Sequence, residues 1–484
     1  MSPKRVKEGK LSPIAERVLN VQRNVFYATG HVKKTQDPIV IARRAELVVH
    51  ADARDASSAF DTALRKVAEP VGDLATIRRR STALVASPRQ RGRQLERDYR
   101  PNPKGPLSKV EIWRLKDTTN TDSINASRRL RKHLKGKLFA LPGEPHPLHP
   151  GIHPHHTAIL APTPGGCPAT PPAPAGTDGT FVKGPSRGST AKVTVLDSGY
   201  IWIDPPHRNL DRRVTVVHGQ WLDTERKRWE PDEPDDLYTN PAGQLDGISG
   251  HGTFIAGLIS HIAPRTRLEV VGLRNQEVEI AALTEQAQLG LFETEAAIAH
   301  AMLRRCNTDV LQCGFAFPTL DDFPSLPFAA VMAELRSDRA PRKGVAVVAP
   351  AGNEHSRGPY WPAALPGVIG VAATDPKGGK PAWFSNWGDW CDCCTGGEDI
   401  YSTFVNWNGP IEGESPNKKW HFNGWATWNG TSFAAPKVSA EIARRFAASR
   451  RPTTPADVAN RLVAGAGAWT SDKAGVRLPY LQIP

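Results

Sequence analysis

The sequence predicts an α/β fold, a parallel sheet with helices on both faces, preceded by a small α+β domain. Two patterns and one break between them carry this reading. From Ala191 onward, short apolar runs alternate with stretches of helical period. Parallel strands covered by helices on both sides read that way. Residues 44–160 instead run strand–helix–strand–strand–helix–strand, the order of a split βαβ unit. Between the two lies a stretch rich in Pro and Gly. A chain of 484 residues has room for two to four domains. Its charged fraction of 23% and hydrophobic fraction of 39% fit a globular protein. No apolar run is long enough to span a bilayer.

The elements follow in order. Residues 1–36 hold few apolar clusters and read as a flexible basic arm. The α+β domain is placed at 37–160. Glu46 to Ala51 is a short run of strand formers. Asp55 to Val67 puts Phe60, Leu64 and Val67 on one helical face. Thr82 to Ala86 reads as a strand, and the basic, polar loop from Pro88 to Pro106 as exposed. Lys109 to Leu115 alternates, with Val110, Ile112 and Arg114 opposite Glu111, Trp113 and Leu115. Asn125 to Leu134 is helical, with Leu130 and Leu134 one turn apart, and His156 to Leu160 closes the sheet. This is a ferredoxin-like arrangement.

A connector follows. It is bounded at 161–190 as a linker, and its polar, Pro-rich character reaches back to about 141. His146, His149, His153, His155 and His156 crowd into this approach. They read either as an extended polar connector or as metal ligands. No carboxylate or thiolate accompanies them at helical spacing, which favours the connector. Beyond it, residues 191–484 form the larger domain. Val193, Val195 and Leu196 make an apolar strand ending at Asp197. His251 opens a helix with Ile255, Leu258 and Ile259. Leu268 to Leu273, Asp309 to Gly314 and Val345 to Ala349 read as strands, and Thr294 to Arg305 as a helix. Sheets of this kind carry their sites beyond the carboxyl ends of the strands, and Asp197 stands at such an end.

Charge is distributed unevenly. Residues 1–140 hold 31 Lys and Arg against 14 Asp and Glu, whereas the remainder holds 31 against 35. The basic residues are scattered and the aromatics among them form no stacking platform, so nucleic-acid binding is not expected. Docking of the basic front domain onto the mildly acidic remainder is expected instead. The start of the chain is basic, but Leu11 to Val25 is interrupted by Pro13, Glu16, Arg17 and Arg23. That is no signal-peptide core. A cytoplasmic protein is therefore expected, with export by another route left open. The six cysteines do not form a dense disulfide framework. Cys391, Cys393 and Cys394 read as small buried thiols, with a metal cluster or a redox switch as alternatives.

Three separated stretches carry the chemistry: Leu-Asp-Ser-Gly at 196–199, Gly-His-Gly-Thr at 250–253 and Asn-Gly-Thr-Ser-Phe-Ala-Ala-Pro at 429–436. They supply Asp197, His251 and Ser432. A serine hydroxyl is a poor nucleophile near neutral pH. It needs a base to take its proton and a carboxylate to hold that base in the right tautomer. Ser432 precedes a helix, Phe433 to Phe446, whose amino end favours the negative charge formed on attack. Pro436 falls near its start, where a missing amide is tolerated.

The order Asp, His, Ser and the residues around each resemble the subtilisin-like serine peptidases. Tyr360 to Thr374 and Phe384-Ser-Asn-Trp-Gly388 are similar to further stretches of that family. The resemblance covers residues 191–450 and implies a subtilisin-like sheet and a serine endopeptidase acting through an acyl-enzyme on polypeptide substrates. A catalytically idle, peptide-binding scaffold of the same fold is the alternative. The resemblance implies that Asn353, in Pro-Ala-Gly-Asn-Glu at 350–354, donates its amide to the oxyanion, with the backbone amide of Ser432 as second donor. It also implies that Gly314, Phe315 and Ala316, with Ala351 and Gly352, bind substrate. The family often has Ser-Leu-Gly where this chain has Gly-Phe-Ala, so specificity is not inherited. The small front domain resembles the family's inhibitory prodomain, with a regulatory or partner-binding module that is not cleaved as the alternative. No cofactor is needed for the chemistry, no metal ligand is assigned, and structural calcium is implied without ligands. Seven of the thirteen tryptophans fall between Trp383 and Trp428, where an aromatic insert from Thr403 is expected to pack a wall beside the site.

Overall fold

The computed structural model describes residues 26–29, 40–79, 101–119, 121–144, 147–159, 169–175, 191–202, 210, 214–218, 220–231, 243–245, 248–273, 291–340, 342–411, 417–473 and 475–483. The basic arm outside Phe26–Thr29, the Thr82–Ala86 run, most of the loop from Pro88, and most of the linker fall outside them.

The front domain is an antiparallel sheet whose main path is Ile152–Ile159, Val40–His50, Val110–Leu115 and Ala68–Asp73. Numbered along the chain these strands stand 4-1-3-2, the ferredoxin-like order. Two helices, Ser58–Val67 and Ser123–Arg131, complete the split unit. Ser57 caps the first by accepting from the Phe60 amide at 3.2 Å, and Asp122 caps the second at 2.8 Å. Phe60 and Leu64 are buried, but Val67 is 38% exposed. It ends its helix, and the core position passes to Ala68 at the start of the next strand. That strand, Ala68–Asp73, takes the place expected for Thr82–Ala86.

The histidine-rich stretch is not a connector over its described part. Ile152–Ile159 is a strand paired on both sides, to Val40–His50 and Leu291–Thr294, and His153, His155 and His156 are each 1% exposed or less. Three buried imidazoles in a strand need partners, and carboxylates distant in sequence supply them.

The larger domain centres on a nine-stranded sheet in the order Val214–His218, Arg267–Gly272, Lys192–Asp197, Val310–Cys313, Ala346–Pro350, Val368–Thr374, Cys393–Gly396, Arg477–Tyr480 and Ala468–Ser471. The first eight are parallel and the last is antiparallel. The central strands are buried on both faces, as helical cover requires. Helices Glu295–Arg304 and Leu326–Arg336 lie toward the front domain. One apolar cluster runs from Val48, Val110 and Ile112 through Ala297, Phe328 and Met332 to Leu196, Val271 and Leu311.

Several contacts join the two regions. Leu291–Thr294 adds itself antiparallel to Ile152–Ile159. Arg131 bonds Asp321 at 2.7 Å, Arg336 bonds Glu144 at 2.7 Å, and Arg114 bonds Glu225 at 2.6 Å. Ala173–Pro174 pairs with Trp420–Trp428, the strand that leads into Ser432. Cys306, Cys313, Cys391, Cys393 and Cys394 are all free and buried. Burial pushes their thiols up, Cys394 to about 12, so they behave as inert apolar groups. No helix among the described residues is long and apolar enough to cross a membrane.

Candidate active site

The carboxyl end of the Lys192–Asp197 strand delivers Asp197 to the top of the sheet. His251 is the first residue of the helix His251–Ile262, and Ser432 is the second residue of Thr431–Ala448. All three are fully buried. His251 Nδ1 lies 2.8 Å and 2.9 Å from the two carboxylate oxygens of Asp197, and Nε2 lies 3.0 Å from Ser432 Oγ. With Nδ1–H donating to Asp197, Nε2 carries a lone pair toward the serine hydroxyl. That is the arrangement a general base needs.

Small residues make this approach feasible. A Cβ on Gly314 would overlap the Asp197 carboxylate, and one on Gly252 would overlap the Gly199 carbonyl. Gly250 sits at φ +77°, and a Cβ there would come within 2.6 Å of Phe404. The imidazole is fixed from the sides by the Trp428 and Phe433 rings, whose centroids are 5.6 Å and 5.2 Å away. The hairpin Ile400–Gly409 and Trp420–Trp428 supplies Trp428, and the nucleophile's own helix supplies Phe433.

The nucleophile's helix starts two residues earlier than expected. Pro436 is therefore its sixth residue, beyond the turn where a missing amide costs nothing. It deprives the Ser432 carbonyl of the residue-436 amide that would normally bond it.

Asn353 follows the Ala346–Pro350 strand. Its Oδ1 accepts from the Thr431 amide and hydroxyl, both at 2.9 Å, and the Thr431 hydroxyl accepts from the Gly352 amide at 3.1 Å. Oδ1 is thereby committed as acceptor, so the NH2 end of this amide is the donor end. Beside it, burial pushes the Glu354 carboxyl up to about 7, against hydrogen bonds from Asn386 and the Asn353 amide.

Of the expected substrate-binding residues, Gly314 lies against Asp197, while the Phe315 ring is fully buried in the core near Phe328. That segment offers backbone rather than an aromatic side chain to a cleft. Residues with no assigned role in the sequence reading also contribute. The Ser198 amide and hydroxyl both donate to Asp197 Oδ1, at 2.7 Å and 3.1 Å, and its Oγ accepts from the Gly252 amide at 3.2 Å. Thr431 orients Asn353. Their adjacency to Asp197 and Ser432 was the available signal.

One group among the described residues could hold a metal: His153, His156 and Glu295, with donor atoms within 4.8 Å of one another. The carboxylate is thus present after all, brought from 139 residues away. The hydrogen bonds already use these donors. His156 Nε2 accepts from the Leu320 amide at 3.1 Å, and Nδ1 donates to Glu295 at 3.1 Å. His153 Nδ1 donates to the Pro154 carbonyl at 2.8 Å. The set therefore reads as a hydrogen-bonded polar network in which His153 Nε2 alone is left without a partner.

Fold and site geometry together are those of the subtilisin-like class of proteins. A family model described as the subtilase family matches residues 188–478, and the chain belongs to that family. It is similar to the thermophilic serine proteinase of Bacillus sp. (strain AK1), at 28% identity over 255 residues and 52% of each chain. It is also similar to the subtilisin of Bacillus pumilus, at 30% identity over 286 residues, covering 57% of this chain and 83% of that one. The match thus spans about half the length of the first of these relatives. A solved protease from Pseudoalteromonas arctica aligns with 58% of this chain and 84% of its own, at 21% identity and a TM-score of 0.41.

Proposed function

We propose that this chain is a serine endopeptidase that hydrolyses peptide bonds through an acyl-enzyme. The observation that carries the reading is the unbroken path from Asp197 through His251 to Ser432. In the first half-reaction Ser432 Oγ bonds the substrate carbonyl carbon as its proton passes to His251 Nε2. The resulting oxyanion takes hydrogen bonds from the Asn353 side chain and the Ser432 amide. The C–N bond then breaks, and His251 returns the proton to the leaving amine. A water molecule, deprotonated by the same imidazole, releases the acyl group. None of these steps requires a cofactor.

The front domain acts on this reading as an intramolecular lid and processing module. The strand pairing of Leu291–Thr294 with Ile152–Ile159 and the Arg131–Asp321 pair support it. So does the segment at 169–175. The Ala169 amide donates to the Asn429 carbonyl at 3.0 Å, and Trp428 Nε1 donates to the Thr170 carbonyl at 2.5 Å. The segment 169–175 thus runs beside the residues that lead into the nucleophile, and Ser432 has no exposed surface. Removal of the linker would open the cleft to polypeptide substrate, with the backbone of Gly314–Ala316 and Ala351–Gly352 as its expected binding edges.

The test is labelling with a serine-directed phosphonate after limited proteolysis of the linker. The expected result is one adduct, on Ser432. Failure to label opened protein would favour the idle peptide-binding scaffold instead.

A further inference from the structure

We propose that Asn386 is the positioning residue for the oxyanion donor, acting on Asn353 through the loop Ala351–Ser356 without touching its side chain. This rests on the reading of Asn353 as that donor.

An amide that stabilises developing charge must be in place before the charge appears. Asn353 sits on a loop, and loops move more than the sheet they leave. Its Oδ1 is anchored on Thr431, which fixes one end of the side chain. The backbone beneath it needs its own anchor, and Asn386 supplies it. Asn386 is fully buried. Its Oδ1 accepts from the Glu354 amide at 3.0 Å and the Ser356 amide at 2.8 Å. Its Nδ2 donates to the Ala351 carbonyl at 2.9 Å and to Glu354 Oε2 at 3.0 Å. Its own amide donates to the Gly352 carbonyl at 2.9 Å. Five bonds from one residue therefore fall on both sides of Asn353.

The clamp is itself tied to the sheet. The Ser385 hydroxyl accepts from the Ala373 amide in the Val368–Thr374 strand at 2.9 Å and donates to the Asn386 carbonyl at 2.9 Å. Next to it, the His355 amide donates to the Phe384 carbonyl at 2.8 Å, and the Trp387 amide to the Ser356 carbonyl at 3.0 Å. A Cβ on Gly352 would overlap Asn386 Nδ2, so the loop and the clamp fit one another with no room for a larger residue. No hydrophobic or charged residue can reproduce two donors and two acceptors at this place. Glu354 Oε2 receives both the Asn386 amide and the Asn353 backbone amide. Its carboxyl couples the clamp to the residue it positions.

The experiment is a double-mutant cycle on peptide hydrolysis with Asn353→Ala, Asn386→Ala and the pair. Asn386→Ala is expected to lower kcat about 10²-fold, the scale of a misplaced catalytic group, with KM within about twofold. In the Asn353→Ala background the same change is expected to cost less than about twofold. Equal losses in both backgrounds would overturn the proposal, as would full activity in Asn386→Ala. If Asn353→Ala itself loses nothing, the oxyanion assignment has failed, a different result from additivity. Asn386→Asp guards against misfolding of the alanine variant. It keeps the acceptors and regains a donor when protonated, so its kcat deficit should shrink as pH falls from 8 to 5. A deficit independent of pH would count against the clamp.

Discussion

Gly314 lies so close to Asp197 that a methyl group on its Cα would occupy the position of the carboxylate. The acid of the triad is thus held by the next strand's end as well as by its own. Gly314→Ala should displace Asp197 and leave His251 without its orienting partner. Loss of that carboxylate's function costs about 10⁴-fold in kcat in the reference triad. We expect a fall of at least about 10³-fold in kcat, read from peptide hydrolysis, with the fold retained by circular dichroism. Wild-type turnover in Gly314→Ala would contradict the geometry.

Asn353→Leu keeps the volume of the side chain but removes its amide. Removing one such donor costs about 10²–10³-fold in kcat, a figure measured in subtilisin itself. The same range is expected here, with KM little changed. A rise in KM at constant kcat would instead make Asn353 a binding residue.

Two histidines at the contact between the domains should make stability depend on pH. His149 and His153 are buried, and their Nε2 atoms have no hydrogen-bond partner. Burial lowers both, His149 well below the ordinary imidazole range and His153 to about 3. The groups facing them are Glu295, Arg131, His156 and His50. Unfolded, each titrates near 6.5, so below that pH the unfolded chain binds more protons. Their contribution is present above about pH 6.5 and is lost as pH falls toward 3, by up to about 1.4 kcal/mol per pH unit for each. Urea midpoints of Ser432→Ala protein at pH 7.5 and 5.0 would show it. His153→Gln should flatten the slope, and an unchanged slope would remove His153 from the account.

Trp428 is 1% exposed, packs on His251 and Phe254, and bonds Thr170. Trp428→Ala should cost about 3–5 kcal/mol of stability, as large aromatic truncations do. Activity should fall with it, because the imidazole loses one wall. Trp428→Phe should recover most of the stability. A shift below about 1 kcal/mol for the alanine variant would mean that the hairpin packs elsewhere.

The triad could be read because its chemistry is local. Asp197, His251 and Ser432 each stand near glycines that the packing demands, and those glycines mark the motifs. The parallel strands were legible for a similar reason, since burial on both faces leaves continuous apolar runs. The histidine strand was legible only in its second half: a sheet-closing strand was expected from His156, whereas Ile152 to His155 read as connector. The strand is buried from Ile152 to Ala158, so it shows no polar–apolar alternation, and its partners Glu46 and Glu295 are 109 and 139 residues distant. Nothing local distinguishes such a strand from a polar connector. Asn386 was hidden for the same reason. Its bonds go to a loop that precedes it by about 30 residues.

The account stands on the hydroxyl of one serine, and hydrolysis of an unfolded protein substrate by wild type and by Ser432→Ala tests it most directly. Removing this nucleophile in subtilisin costs about 10⁶-fold in kcat. We expect cleavage by the wild type and a loss on that scale in the variant, with the same urea midpoint for both. Equal cleavage by the two proteins would contradict the account.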